Sequence, residues 1–253
     1  MALRRYRPLA TSTSRLATVE TAFDRVPLRI AVAQPTCRAY DVGANVAAHA
    51  ALVAAAAARV VVFPELSLTG YELDAAPVDP ADSRLAPLVD ACVAAGSLAL
   101  VGAPVAGDHI ATLAVDGTGV RVAYRKMWLG GDEPRRFTPG PEPVVLTVDG
   151  WRLGLAICKD TGVAEHAART CALGVDVHLA SVVESAADVA VPDERALRIA
   201  TTHRVHVAVA SFAGPTGGGF HETAGRSAIW APDGSVLARA GSEPGGYAQA
   251  TLT

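Results

Sequence analysis

The strongest constraint on the fold is a unit that recurs in both halves of the chain: an apolar run, a helical stretch, then a second apolar run. "LRIAVAQ", residues 28–34, is followed by a helical stretch over 42–59 and by "VVVF", 60–63. In the second half a run ending in "LGLAIC", 153–158, leads to a helix at 163–173 and to "VDVHLA", 175–180. A helix at 192–204 then precedes "VHVAVASF", 205–212. Apolar runs of this kind read as buried strands, and their alternation with helices places the helices outside the sheets. A helix over 82–96 and a strand at 98–105 extend the first half, and hairpins are interleaved. "HIATLAV" and "VRVAYRK" are joined by "DGTG", and "DG" joins "VVLTV" to "WRLGLAIC". The end reads as short strands and turns, including "SAIWAPDGSVLAR". The pattern predicts a layered α/β domain of two sheets packed face to face with helices outside.

Composition narrows the function classes. Hydrophobic residues make up 51%, charged residues 19%, and the net charge is -3, so nothing marks a nucleic-acid surface. The most apolar window, 47–63, is mostly Ala and carries His49 and Arg59. It falls short of the ~18–20 strongly apolar residues of a membrane span. Residues 1–27 are Arg-rich without the apolar run of a secretory signal, and are expected to form an arm outside a domain spanning 28–253. Four cysteines form no CxxC pair, and the spacing of His203 and His206 is weak evidence for a metal. Reduced thiols in the cytosol and no metal are the expectation.

Three places break the pattern, each at a strand end, where α/β proteins build their sites. In "VVVFPELSLTGY" Glu65 follows four apolar residues and a proline. Burial there would raise its pKa and suit it to general-base work, although a loop glutamate can equally cap a helix or pair with an arginine. In "VAYRKMWLGGDEPRRFTPG" Lys126 closes a strand and Glu133 lies seven residues on. Of 22 basic residues only Lys126 and Lys159 are lysine, so the chain makes its ordinary surface charge with arginine. A compact, tunable ammonium is a different tool. In "LGLAICKDTGV" the run ends in Cys158, followed at once by Lys159 and Asp160. Buried thiols are usually inert, but one at a turn before a helix gains from backbone N–H groups that favour thiolate. A cysteine, a lysine and two carboxylates together can perform acyl transfer through a covalent intermediate.

"FPELSLTGY", "YRKMWL…E…FTPG" and "GLAICKD" together resemble the three signature segments of the nitrilase superfamily, the carbon–nitrogen hydrolases, in the family's order. "LRIAVAQ" is similar to its first strand and "GRSAIWAPDGSVLA" to a later segment, so the resemblance spans about residues 28 to 252. It implies a four-layer α-β-β-α sandwich of two mixed sheets, typically a homodimer or larger assembly, without cofactor or metal. It also implies roles: Cys158 as nucleophile, Glu65 as general base, Lys126 as oxyanion partner, and Glu133 as a second glutamate positioning substrate and Lys126. Lys126 and the N–H of Lys159 are the candidate oxyanion donors. Lys159 and Trp128, the latter standing where the family commonly has His, are candidate substrate contacts.

The expected activity is an amidohydrolase cleaving a non-peptide C–N bond, of carboxamide or N-carbamoyl type, in a small molecule through a cysteine thioester. Alternatives on the same fold are a nitrilase, an acyltransferase or a non-catalytic binding protein. A Cys–His protease would require His166 near Cys158, whereas His166 is expected two turns into the following helix and facing away. Nucleic acid and membrane are not expected partners.

Overall fold

The computed structural model describes residues 25–253, so of the expected N-terminal arm all but 25–27 lies outside the described residues. Among the described residues twelve strands form two six-stranded sheets. The first is built from β1 (Leu28–Gln34), β2 (Val60–Val62), β3 (Leu98–Val105), β4 (His109–Asp116), β5 (Gly119–Arg125) and β12 (Gly246–Leu252), in the order β12-β1-β2-β3-β4-β5. The second takes β6 (Val145–Val148), β7 (Trp151–Ile157), β8 (Val177–Val182), β9 (His206–Ser211), β10 (Ala228–Trp230) and β11 (Val236–Arg239), in the order β11-β10-β9-β8-β7-β6. β1, β2 and β3 run parallel, as do β7, β8 and β9, and the remaining pairings are antiparallel. Both sheets are therefore mixed.

Three apolar cores account for four layers. Ile30, Val32, Val62 and Leu100 of the first sheet meet Leu153, Leu155, Ile157 and Leu179 of the second in the central core. α1 (Val42–Ala56) and α2 (Ala86–Ala95) cover the outer face of the first sheet through Val46, Val53, Leu88 and Phe63. α4 (Ala164–Ala172) and α5 (Val191–His203) cover the second through Ala167, Ala196 and Ile199. With both faces covered, parallel strands such as β3 are buried at every position, which is why they read as unbroken apolar runs.

Helix limits differ from those expected. Asp41 caps α1 by accepting from Ala44 N–H at 3.0 Å, and the helix stops at Ala56, not 59, because Ala57 turns left-handed (φ 46°). The stretch 82–96 is a 3-10 turn, Ser83–Leu85, followed by α2, which Gly96 terminates at φ 62°. The helix expected at 163–173 is α4, and a single turn that was not expected precedes it. That turn, α3 (Lys159–Gly162), ends at Val163, whose extended backbone (φ -97°, ψ 109°) breaks it from α4. No helix among the described residues is long and apolar enough to cross a membrane.

Candidate active site

Glu65 sits three residues beyond β2 and is 1% exposed. Its turn lies flat on β3: Leu68 N–H donates to Gly102 O at 3.0 Å, and Leu66 is left-handed at φ 52°. A Cβ at Gly102 would overlap the backbone of Pro64, Glu65 and Leu66, so glycine there lets the turn approach. Lys126 follows β5, anchored by its own N–H to Ile110 O at 2.8 Å. Its Nζ donates to Glu65 Oε1 at 2.6 Å and to Glu133 Oε1 at 2.7 Å, all three side chains being almost fully buried. Glu133 opens a 3-10 turn, where Oε1 also accepts from Tyr71 OH at 2.7 Å and Oε2 from Gly130 N–H at 2.8 Å.

Two carboxylates share one buried cation, and the protonation equilibria follow. Burial pushes Glu65 above the ordinary carboxylate range; Lys126 opposes that shift and Glu133 adds to it. Burial works against the Lys126 charge, but Glu65, the Cys158 sulfur and Glu133 outweigh it and hold the ammonium above the usual lysine range. Glu65 Oε2 is buried without a hydrogen-bond partner. An orphan buried acceptor is costly unless something arrives to use it.

Cys158 ends β7 and takes φ 41°, ψ -94°, a left-side conformation that costs a non-glycine residue ~1–3 kcal/mol. Neighbours enforce it: Cys158 N–H donates to Ser181 O at 2.9 Å, and Cys158 O accepts from Thr161 N–H at 2.9 Å and Thr161 Oγ1 at 2.7 Å. The half-buried thiol points at Val183 O, 3.4 Å away. Burial and then Glu65 push its pKa up, with Lys126 opposing, so the thiolate-favouring N–H groups of the following turn are outweighed. The resting thiol keeps its proton until a base takes it.

Neither Lys159 nor Trp128 makes a hydrogen bond to the charged trio among the described residues. The Lys159 side chain is exposed and its stem lies beside Gly130, while its N–H makes no hydrogen bond among the described residues. Trp128 is partly buried, with its N–H donating to Asp160 Oδ1 at 2.9 Å and its ring edge-on to His166 at 5.5 Å. Asp160, fully buried, is the clamp that sequence reading left without a role. Its Oδ2 accepts from Ile157 N–H at 2.9 Å and Tyr124 OH at 2.7 Å, so one carboxylate ties the Cys158 turn to the ends of β5 and β7. His166 lies in the first turn of α4, not two turns in, and its Nε2 is 2.9 Å from Tyr124 OH. It makes no hydrogen bond to Cys158 among the described residues. Tyr71 and Tyr124 were also missed, although the first closes the "FPELSLTGY" segment and the second precedes Lys126 by two. Among the described residues no three His, Cys, Asp or Glu side chains converge as a metal site requires.

A strained thiol at a strand end, with an orphan carboxylate oxygen and a buried ammonium in electrostatic reach, can support nucleophilic attack on a carbonyl. The comparisons with known proteins agree in class. The sequence pattern described as carbon-nitrogen hydrolase matches residues 29–253. A Pseudomonas protegens protein called "Hydrolase in pqqF 5'region" is 32% identical over 234 residues, covering 85% of this chain and 79% of that one. Among solved structures, a cysteine-to-alanine mutant of the Nesterenkonia AN1 amidase, of the nitrilase superfamily, superposes with a TM-score of 0.80. It is 26% identical over 89% of this chain and 90% of that one. The same amidase in complex with butyramide gives a TM-score of 0.79 at 26% identity with the same coverage. Two face-to-face mixed sheets, charged strand ends converging between them and a family match over nearly the whole described chain lead to one statement: this protein belongs to the carbon–nitrogen hydrolase family, within the nitrilase superfamily.

Proposed function

We propose that the protein is an amidohydrolase that cleaves a non-peptide C–N bond of a small carboxamide or N-carbamoyl compound through a Cys158 thioester. The observation that carries this reading is the buried Glu65–Lys126–Glu133 cluster, in which Glu65 keeps one oxygen, Oε2, without a partner and Glu65 and Lys126 both act electrostatically on the protonated thiol. Glu65 takes the thiol proton as Sγ attacks the carbonyl carbon. The oxygen that gains the negative charge is held by Lys126 Nζ and the free N–H of Lys159, each donor worth ~3–4 kcal/mol when removed. Glu133, tied down by Tyr71 and Gly130, fixes the Lys126 ammonium. As the tetrahedral species collapses, Glu65 returns its proton to the departing nitrogen, which leaves as ammonia or an amine. Water then gives a proton to Glu65 and its oxygen attacks the thioester, freeing the acid and restoring the thiol. A base held above the ordinary carboxylate range suits both transfers, because it binds the proton firmly enough to carry it.

The test is an ammonia-release screen over carboxamides, N-carbamoyl amino acids, ω-amides and nitriles, with Cys158→Ala as the blank. Cys158→Ala is expected to abolish turnover; retention of more than about a tenth of wild-type activity sinks the assignment.

A further inference from the structure

The thiol has a second charged neighbour that the mechanism above does not use. Val183 O accepts from Cys158 Sγ at 3.4 Å, and Glu184 is the next residue, where the chain leaves β8. The loop is pinned there, Glu184 O accepting from Ala224 N–H at 2.9 Å. The Glu184 side chain is 18% exposed and its Oε1 takes Arg195 Nη1 of α5 at 2.7 Å. Arg195 also lies across α3, where a Cβ on Gly162 would come within 3.3 Å of Nε. The guanidinium thus pairs with Glu184 and lies beside the turn after Cys158. Glu184 Oε2, in contrast, makes no hydrogen bond among the described residues and is not sealed off. The charges are felt in the site: Glu184 adds to the upward push that burial and Glu65 exert on Cys158, while burial raises Glu184 itself against the opposing pull of Arg195 and, more weakly, Lys126.

Of the charges that act on Cys158, Glu65 and Glu184 are acidic, Lys126 is paired with Glu65, and Arg195 is paired with Glu184 through Oε1. The other cation close to Cys158 in sequence, Lys159, is exposed near Gly130, where solvent screens it. We propose that Glu184 is a specificity residue whose Oε2 accepts a hydrogen bond from a cationic or N–H-bearing group on the acyl part of the substrate. It favours amides carrying an ammonium-type group over those carrying a carboxylate. An ammonium satisfies the open acceptor, whereas a carboxylate in the same place meets like charge and leaves that acceptor unpaired. This rests on the part of the proposed function that seats the substrate's acyl group beside an accessible Cys158 thiol.

The test uses charge-matched methanethiosulfonates, one bearing trimethylammonium and one sulfonate, with labelling of Cys158 followed by peptide mass spectrometry. The wild type is expected to label faster with the cation, and Glu184→Gln to lower the cation-to-anion rate ratio by about fivefold. Binding is read in parallel, with or without turnover, as protection of Cys158 from neutral methyl methanethiosulfonate by γ-aminobutyramide, valeramide and succinamate. γ-Aminobutyramide is expected to protect at the lowest concentration, with that advantage falling by about fivefold in Glu184→Gln. Glu184→Gln/Arg195→Gln, which removes both charges, is expected to keep the lowered ratio. Its return to the wild-type value would assign the effect to charge balance and overturn the proposal. Equal or better protection by succinamate overturns it, as does a labelling ratio that Glu184→Gln leaves unchanged. If Cys158 labels no faster than buried Cys92, the nucleophile reading fails and this one with it. Full turnover in Cys158→Ala with the protection order intact defeats the mechanism alone.

Discussion

Two buried polar clusters adjoin the Cys158 turn: Glu65, Lys126 and Glu133 on one hand, and Tyr124, Asp160, His166 and His178 on the other. Burial acts on both in the same sense, favouring neutral forms, so it raises Glu65 and lowers His166 and His178. The difference lies in what each is given to oppose it. The first holds a cation 2.6 and 2.7 Å from its carboxylates, and charge persists. The second has none so close. Apart from Asp160, which is held by Ile157 N–H, Trp128 N–H and Tyr124 OH, its members stay neutral. Each cluster also has orphans. Glu65 Oε2 belongs to a carboxylate that acts electrostatically on the protonated Cys158 thiol, whereas His166 Nδ1 and both nitrogens of His178 have no hydrogen-bond partner. An unpaired buried atom becomes chemistry only where a mobile proton is in reach; elsewhere it is a stability cost.

That contrast can be broken, and the largest effect is expected from removing the cation. Lys126→Met leaves two buried carboxylates facing each other. Turnover should fall by roughly a thousandfold. Stability should drop by about 3–5 kcal/mol in chemical denaturation, and a variant as stable as wild type would contradict the buried-charge account. Asp160→Asn replaces an acceptor of three donors with a group that must turn an N–H toward one of them. A loss of about 3 kcal/mol is expected, with activity falling because the Cys158 turn loosens. Tyr71→Phe removes one hydrogen bond to Glu133 Oε1 and keeps the ring against Phe220, 5.4 Å away. The loss of ~1.5–3 kcal/mol expected for a bond to a charged acceptor should appear in kcat more than in KM.

The smallest effect sharpens the contrast from the other side. His178 is fully buried with its pKa pulled down to about 3 from 6.5. A base depressed in the folded state binds fewer protons there than when unfolded. Its stabilising share is therefore present above pH 6.5 and is lost as pH falls toward 3. His178→Leu should remove that loss and gain about 2 kcal/mol over wild type near pH 5, read from denaturation at acid and neutral pH. An unchanged pH dependence would show that His178 is not the buried neutral base described.

What the sequence made legible follows from these forces. Strands covered on both faces announce themselves as apolar runs, and Glu65, Lys126 and Cys158 interrupt such runs, so they could be singled out one by one. Their meeting point came from resemblance, since nothing local says that Lys126 reaches across 61 positions to Glu65. The partners that depend on tertiary approach stayed hidden. Tyr71 is 62 positions from Glu133 and Tyr124 is 36 from Asp160. Glu184 sits in a polar loop indistinguishable from a solvated one. The extra turn α3 between Cys158 and the expected helix was equally invisible, because four residues ending at Gly162 are too few to show a helical period.

The two sheets carry different parts of the site. Glu65 and Lys126 extend from strands of the first, Cys158 and Glu184 from strands of the second, and the packed apolar layer between them sets their spacing. Catalysis is therefore a gauge of sheet alignment. A slip of one sheet past the other by a fraction of a side chain would leave every helix and ladder intact and still silence the enzyme. In denaturant or under pressure, turnover should fade before the helical signal does, making activity the earliest reporter of strain in a fold whose secondary structure is the last thing to yield.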